Sequence, residues 1–242
     1  MIMLFTDFGL AGPYTGQMKA VLYRKAPGVP VVDLFADAPP CNPKASAYLL
    51  AAFVPWFPAG TVFLSVVDPG VGGPRAPLVV EADGRIFVGP DNGLFELIMR
   101  RASELRTREI TWQPNVLSAS FHGRDLFAPI AAEIAAGTLP AGALRPCTPA
   151  RMADWPDDLA EIVYVDHYGN AMTGLRASSL HPSARLQATG RMLGAARTFG
   201  DVRPGDAFWY ENANGLAEIA VNQGRADTAL GLSVGTPVSV LD

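Results

Sequence analysis

The stretch LSVVDPGVGGPR, residues 64–75, runs from an apolar, β-branched segment straight into an acid, two prolines and three glycines. A run that stops on a carboxylate describes a buried strand whose end presents Asp68. The Gly-Pro turn behind it lets backbone and the Arg75 guanidinium approach a ligand without Cβ obstruction. The same residues also make an ordinary turn, with Asp68 capping its own backbone and Arg75 solvated. Their company in the rest of the chain has to separate the two readings.

Working outward, short apolar runs at 2–6, 29–35 and 61–67 alternate with helix-period segments at 14–25 and 43–54, the latter carrying Pro43 in its first turn. Two further strands, 78–81 and 85–88, are joined across Asp83-Gly84, a type I′ hairpin signal, and 92–101 and 125–136 read as helices. This alternation predicts an α/β fold, an N-terminal mostly parallel sheet flanked by helices, with ligands at the carboxyl ends of its strands. Asp7 and Asp68 both fall at such ends.

Composition shifts between residues 137 and 158, where Pro140, Pro146, Pro149 and Pro156 interrupt any periodicity. Beyond it lie only short strand candidates, at 161–166, 184–189, 207–211, 216–221 and 237–241, with turn signals at Tyr168-Gly169, Pro204-Gly205 and Asn214-Gly215. The expected division is an α/β domain over 1–145, a linker over 146–158 and a smaller C-terminal antiparallel β-barrel domain over 159–242.

At 242 residues, 49% hydrophobic and 17% charged, the chain has the composition of a globular protein with a sizeable core. A net charge of -4 without a basic cluster argues against nucleic acid or an anionic membrane surface as partner. Cys41 and Cys147 lie far apart and outside any CxxC pattern, and three histidines cannot assemble a His-rich cluster, so no metal is expected. Residues 1–10 lack a basic leader and are interrupted by Asp7, and no run reaches the roughly 18 apolar residues of a membrane span. The expectation is a soluble, cytoplasmic protein.

Three more clusters carry chemistry. In Thr6-Asp7-Phe8-Gly9 the acid follows the first strand, where it serves either as a helix N-cap or as an acceptor for a ribose diol. In Phe121-His122-Gly123-Arg124-Asp125 a histidine opens a helix, suited to proton transfer or to a structural role. In Asp166-His167-Tyr168-Gly169-Asn170 a hairpin turn explains the glycine and amide, and Asn170 also suits an adenine edge.

These segments, with Lys19 and Gly89-Pro90-Asp91-Asn92-Gly93, occur in an order that resembles the S-adenosyl-L-methionine (SAM) hydroxide adenosyltransferases, relatives of fluorinase and chlorinase. The resemblance spans nearly the whole chain. It implies hydrolysis of SAM to adenosine and L-methionine by a water-derived hydroxide at ribose C5′, with SAM as substrate and no cofactor. It also implies a homotrimer whose active sites lie at subunit interfaces, between the N-terminal domain of one copy and the C-terminal domain of the next.

The catalytic set implied is Asp68, Arg75 and His122. A base and a positive charge are what a water nucleophile requires, and which of Asp68 and His122 takes the proton stays open. Substrate-binding positions implied are Asp7 at the ribose, Phe8, Tyr14, Gly123 near the nucleophile, Asp166 near the methionine portion and Asn170 at adenine. Met172 and Phe199 would sandwich the adenine ring, with Met172 replacing the aromatic of the halogenases. Gly12 stands where relatives often have an acid, and Ala213 and Asn214 stand where halogenases place a serine and an arginine. The bidentate carboxylate clamp is therefore missing from that turn. A non-catalytic adenosine- or SAM-binding module is the alternative this departure motivates, and a halogenase a lesser one.

Overall fold

The computed structural model, which describes residues 1–241, begins β1 (Ile2–Thr6), α1 (Tyr14–Lys25), β2 (Val31–Phe35), α2 (Pro43–Phe53) and β3 (Val62–Val66). Neither β1 nor β3 contains a charge, and all their residues are buried. That is the pattern of central strands covered on both faces. The chain then adds β4 (Pro77–Ala82), β5 (Arg85–Pro90), α3 (Glu96–Arg101), β6 (Leu105–Ile110), α4 (Ala128–Ala136) and β7 (Leu144–Pro146). The chain forms two compact units, residues 1–47 with 55–152, and residues 48–54 with the chain from Ala153 on.

The first unit is an α/β layer structure on a mixed seven-stranded sheet in the order β2-β1-β3-β5-β4-β6-β7. Its first four strands pair parallel and the remainder antiparallel. One face packs Ile2, Leu4, Val62, Leu64 and Val88 against Met18 and Leu22 of α1 and Ile130 and Ala131 of α4. On the other face Phe63 and Phe87 stack at 5.0 Å, with Phe57 and Phe95 edge-on or tilted against them. The chain leaves β1 toward β2 on one side and crosses back to β3 on the other. The order therefore reverses at the carboxyl ends of β1 and β3, the crevice where open α/β sheets take ligands.

Local chemistry sets the boundaries. Asn42 caps α2 by accepting from the Ala45 amide at 3.0 Å, Pro43 takes its first position, and Pro55 follows its end. At the β4–β5 hairpin Asp83 and Gly84 both have positive φ, 46° and 76°, as a type I′ turn demands. The helix expected over 92–101 is confined to Glu96–Arg101. Asn92 is held in the preceding turn, its amide donating to Val67 O at 2.9 Å and its carbonyl accepting from the Leu94 amide at 3.3 Å. The helix expected over 125–136 begins instead as a π-helical turn at Gly123–Phe127 before α4. Strand β6, LRTREI, was not expected, because its charged, partly exposed residues hide the alternation.

The second unit contains β8 (Leu159–Val165), β9 (Ala171–Arg176), β10 (Arg185–Ala188), β11 (Arg191–Leu193), β12 (Ala207–Glu211), β13 (Leu216–Val221), α5 (Ala226–Leu230) and β14 (Val238–Leu241). They form two antiparallel sheets, β12-β13-β9-β8 and β11-β10-β14. Isolated bridges pair Glu161 with Pro237 and Ala195 with Trp209, and among the described residues the pairings do not run round a closed barrel. Strand β9 escaped notice because its centre is Gly174, where a Cβ would lie 2.6 Å from Leu159 Cβ.

Ala171, Trp209, Ala217, Ile219 and Val221 turn one face of the four-stranded sheet into the unit's core, with Leu186, Leu193 and Val238 from the other sheet. Register puts Tyr164, Met172, Glu218 and Tyr210 in one row across the opposite face. No helix among the described residues is long and apolar enough to cross a membrane.

Candidate active site

At the reversal point β1 and β3 run in register, Thr6 beside Val66, so the residues that follow them, Asp7 and Asp68, emerge at one edge. Asn92, just after β5, donates its side-chain amide to Val67 O and ties the third parallel strand end to the same edge. Beyond Asp68 the chain turns tightly, Val71 N–H to Asp68 O at 3.2 Å and Gly73 N–H to Gly70 O at 2.9 Å. Gly72 has φ +79°, and a Cβ there would stand 2.6 Å from Ala119 O. Only glycine lets this loop lie so close to the segment that leads into His122.

The turn brings Arg75 back onto Asp68 and up to His122. Arg75 Nε donates to both carboxylate oxygens at 3.1 Å, and Nη2 donates to Oδ2 at 2.5 Å. Nη2 also lies 3.0 Å from His122 Nδ1. A guanidinium has donors only, so Nδ1 is the acceptor and the neutral ring carries its proton on Nε2. The side chains of Asp68 and Arg75 are 4% and 11% exposed, and the guanidinium lies 5.4 Å over the Phe127 ring. Burial, and then the Arg75 charge, push the His122 pKa down; Asp68 and Asp125 act the other way.

Asp7 accepts the Cys41 amide on Oδ2 at 2.9 Å. Its pKa is raised by burial, with the Asp68 charge a smaller contributor, against the lowering effect of the Cys41 bond. Phe8, Tyr14 and Phe121 form an aromatic triangle with centroids 5.5–5.9 Å apart. Gly123 packs into it so closely that a Cβ would meet Met18 Sδ and the Phe8 ring at 3.3 Å. Arg124 and Asp125, noticed in sequence for their charge, hold the loop. Asp125 Oδ2 accepts the Ser118 amide at 2.9 Å and Arg124 pairs with Asp125 and with Gln17.

In the second unit Asp166 and Asn170 close the β8–β9 turn. The Asn170 amide N–H donates to Asp166 Oδ1 at 2.8 Å and its side-chain Nδ2 to Oδ2 at 3.2 Å. Both residues, with Phe199 and Tyr210, line a cavity of about 660 Å³. Phe199 packs edge-on against Phe208 and Tyr210, with centroids 5.2 and 5.3 Å away. Met172 shares the sheet face with Glu218 and Tyr210 but does not line that cavity. Ala213 lines a separate one of about 770 Å³, with Arg197 and Asn212, and the Asn214 amide is taken by Asn212 Oδ1 at 2.9 Å. Gly12, with φ +112°, sits in an open loop.

The structure thus gathers Asp7, Phe8, Tyr14, Asp68, Arg75, His122 and Gly123 in the first unit, and Asp166, Asn170 and Phe199 in the second. Residues that sequence reasoning passed over are Asn92, Phe127 and the Tyr210–Glu218 pair. Asn92 lay within the quoted Gly-Pro-Asp-Asn-Gly motif, and an acid in the apolar run of β13 was the signal for Glu218. Among the described residues no group of His, Cys, Asp and Glu is arranged to hold a metal ion.

Family models for the SAM hydroxide adenosyltransferase N-terminal and C-terminal domains match residues 2–144 and 160–239. The chain belongs to the SAM hydroxide adenosyltransferase family. Within it, the chain is 42% identical to the (R)-S-adenosyl-L-methionine hydrolase of Thermus thermophilus over 99% of both chains. It is 37% identical to the protein of that name from Salinispora tropica, over 99% of this chain and 97% of that one. A crystal structure of a conserved protein from Thermotoga maritima superposes with a TM-score of 0.89 at 30% identity, covering both chains fully.

Proposed function

We propose that this member of the SAM hydroxide adenosyltransferase family hydrolyses SAM to adenosine and L-methionine. The observation that carries the reading is Arg75 held between Asp68 and His122 at the carboxyl edge of the sheet. Two relatives named as hydrolases of this compound, similar end to end, support it.

The steps follow from the hydrogen-bond roles. With its Nδ1 engaged by Arg75, His122 offers Nε2–H to a water oxygen and orients it. Asp68, the acceptor beside it, takes the water proton. Arg75 then stabilises the hydroxide that develops. The hydroxide oxygen bonds to ribose C5′ as the C5′–S bond breaks and its electron pair returns to sulfur. Methionine leaves as a neutral thioether, so the leaving group needs no acid. Asp7 keeps Oδ1 available for the ribose hydroxyls while Oδ2 accepts from Cys41. Phe8 and Tyr14 wall this edge and Gly123 leaves it room.

In the second unit Asn170 and Phe199 serve the adenine and Asp166 the methionine portion. Met172 supports the same sheet face, and Ala213 and Asn214 contribute backbone at the methionine end. The family resemblance supports a homotrimer that pairs the Asp68 edge of one copy with the Asn170 cavity of the next.

Purified protein incubated with SAM should release adenosine and methionine in equal amounts, with label from heavy-oxygen water on the adenosine 5′-oxygen. SAM binding without product above the spontaneous background would make the chain a binding module. A chloride-dependent halogenated nucleoside would make it a halogenase.

A further inference from the structure

The dipeptide Asp91-Asn92, just after β5, grips the Asp68–Arg75 loop at both ends. Asn92 Nδ2–H donates to Val67 O at 2.9 Å, and the Asp91 backbone N–H donates to Ala76 O, also at 2.9 Å. Val67 immediately precedes Asp68, and Ala76 immediately follows Arg75. The two bonds therefore bracket the segment that carries both the acid and the guanidinium.

The strand ladders explain why a side chain is needed at one end. The β3–β5 pairing stops at Leu64 and Val88 and the β1–β3 pairing at Val66, so the carbonyl of buried Val67 lies beyond both. A buried carbonyl without a partner is costly, and Asn92 supplies its donor. At the other end Pro77 and Pro90 face each other and neither has an N–H to give, so the Asp91 amide makes the last link of the β4–β5 pair.

The clamp is itself held. Asn92 accepts the Leu94 amide on Oδ1 at 3.3 Å, which uses both ends of its side chain and fixes the way it points. The Asp91 carboxylate accepts the Ala150 amide at 3.0 Å. Gly89 runs so near β3 that a Cβ there would overlap the Ser65 carbonyl.

We infer that Asn92 is a positioning residue for the reaction, which together with the Asp91 amide fixes the reach between Asp68 and Arg75. The inference rests on the proposed hydrolysis and adds to it a residue that acts through the loop. Val67 C=O and Asp68 N–H share one planar peptide, so holding the carbonyl holds the plane from which the Asp68 side chain leaves. The Arg75 fork has to meet both carboxylate oxygens and His122 at once, which leaves little tolerance for a tilt. A misplacement of about 1 Å is worth about a hundredfold in rate.

The test is single-turnover cleavage of SAM with enzyme in excess, so that slow variants stay measurable, followed against enzyme concentration to separate the rate in the complex from substrate affinity. Asn92→Asp has the same shape and keeps the acceptor for Leu94, but sets a lone pair against Val67 O. Its rate should fall between about tenfold and a hundredfold, with SAM affinity little changed. Arg75→Lys supplies the second background. With the fork already broken the clamp has no pair left to register, so adding Asn92→Asp to Arg75→Lys should cost less than about threefold more. A merely structural role would lower the rate by the same factor in both backgrounds, and that result would overturn the inference. An Asn92→Asp protein of wild-type rate overturns the inference alone, whereas a wild type that releases no product overturns the reaction as well. Should Asn92→Asp fail to fold, Asn92→Ala, which removes the donor without setting a charge against the carbonyl, is read in the same cycle and judged by the same outcomes.

Discussion

Arg75 donates through Nη2 to Nδ1 of His122 at 3.0 Å, and this one contact sets the tautomer of the histidine at the sheet edge. On the proposed reaction His122 is thereby the donor that orients the water, and Asp68 the proton acceptor. The pairing also makes His122 unusually dependent on a neighbour seven residues from Asp68 and far from itself in sequence.

Replacing His122 with Ala should lower kcat about a hundredfold, the usual worth of a lost proton-transfer or orienting group, with KM little changed. Steady-state assay by product chromatography checks this. An unchanged kcat would return His122 to a structural role.

The lowered His122 pKa has a pH signature. Its folded value lies below the ordinary 6.5, so the ring stays neutral in the native state where the unfolded chain already binds a proton. The stability this group contributes is present above pH 6.5 and is lost as pH falls through the folded pKa. Melting temperature measured from pH 7.5 down to 5 should fall less steeply in His122→Gln than in wild type. The His122-dependent acid limb of kcat/KM should likewise lie below 6.5.

Arg75→Lys preserves charge but not the fork. A lysine ammonium cannot grip both Asp68 oxygens in a plane and still reach Nδ1. Activity should fall by at least about a hundredfold, and stability by about 3 kcal/mol, because a buried carboxylate loses most of its partner. Urea unfolding and turnover assays read the two effects separately.

Asp7 works in the opposite sense. Its folded pKa is above the ordinary 3.8, so its stabilising contribution is complete below that value and is lost as pH rises through the folded pKa. At neutral pH its charge is a liability. Asp7→Asn keeps an acceptor for the Cys41 amide and should melt higher than wild type at pH 7, the gap closing toward pH 4, while SAM turnover drops. A variant that melts lower at pH 7 would contradict this account.

Gly72→Ala places a Cβ on a φ of +79° and 2.6 Å from Ala119 O. The loop has to shift, at a cost of about 1–2 kcal/mol. Because Arg75 lies three residues on, turnover should fall with the melting temperature, whereas Gly142→Ala, with positive φ but open space, should lose stability without activity.

Much of the parallel half could be read from sequence because apolar runs, helical spacing and the Asp83-Gly84 turn are local signals. The edge formed by Asp7 and Asp68 followed from the same alternation. What could not be read were features set by long-range pairing. The β6 strand hides its period under charges that salt-bridge sideways, as Glu109 does with Arg145 of β7. The approach of Arg75 to His122 depends on the packing of Gly72 against Ala119, which no spacing rule foresees. Tyr210 and Glu218 become partners only when β12 and β13 pair in the observed register.

The guanidinium of Arg75 is committed on its working side to Asp68 and His122 by contacts within the chain itself. Its charge cannot swing to meet a ligand without abandoning both. The reorganisation that a solvent would perform during a nucleophilic displacement has thus been completed during folding, and the entropy of arranging these three groups is charged to the stability of the chain instead of to the barrier. Variants that loosen the 69–75 turn should therefore register in the activation entropy before they register in the affinity for substrate.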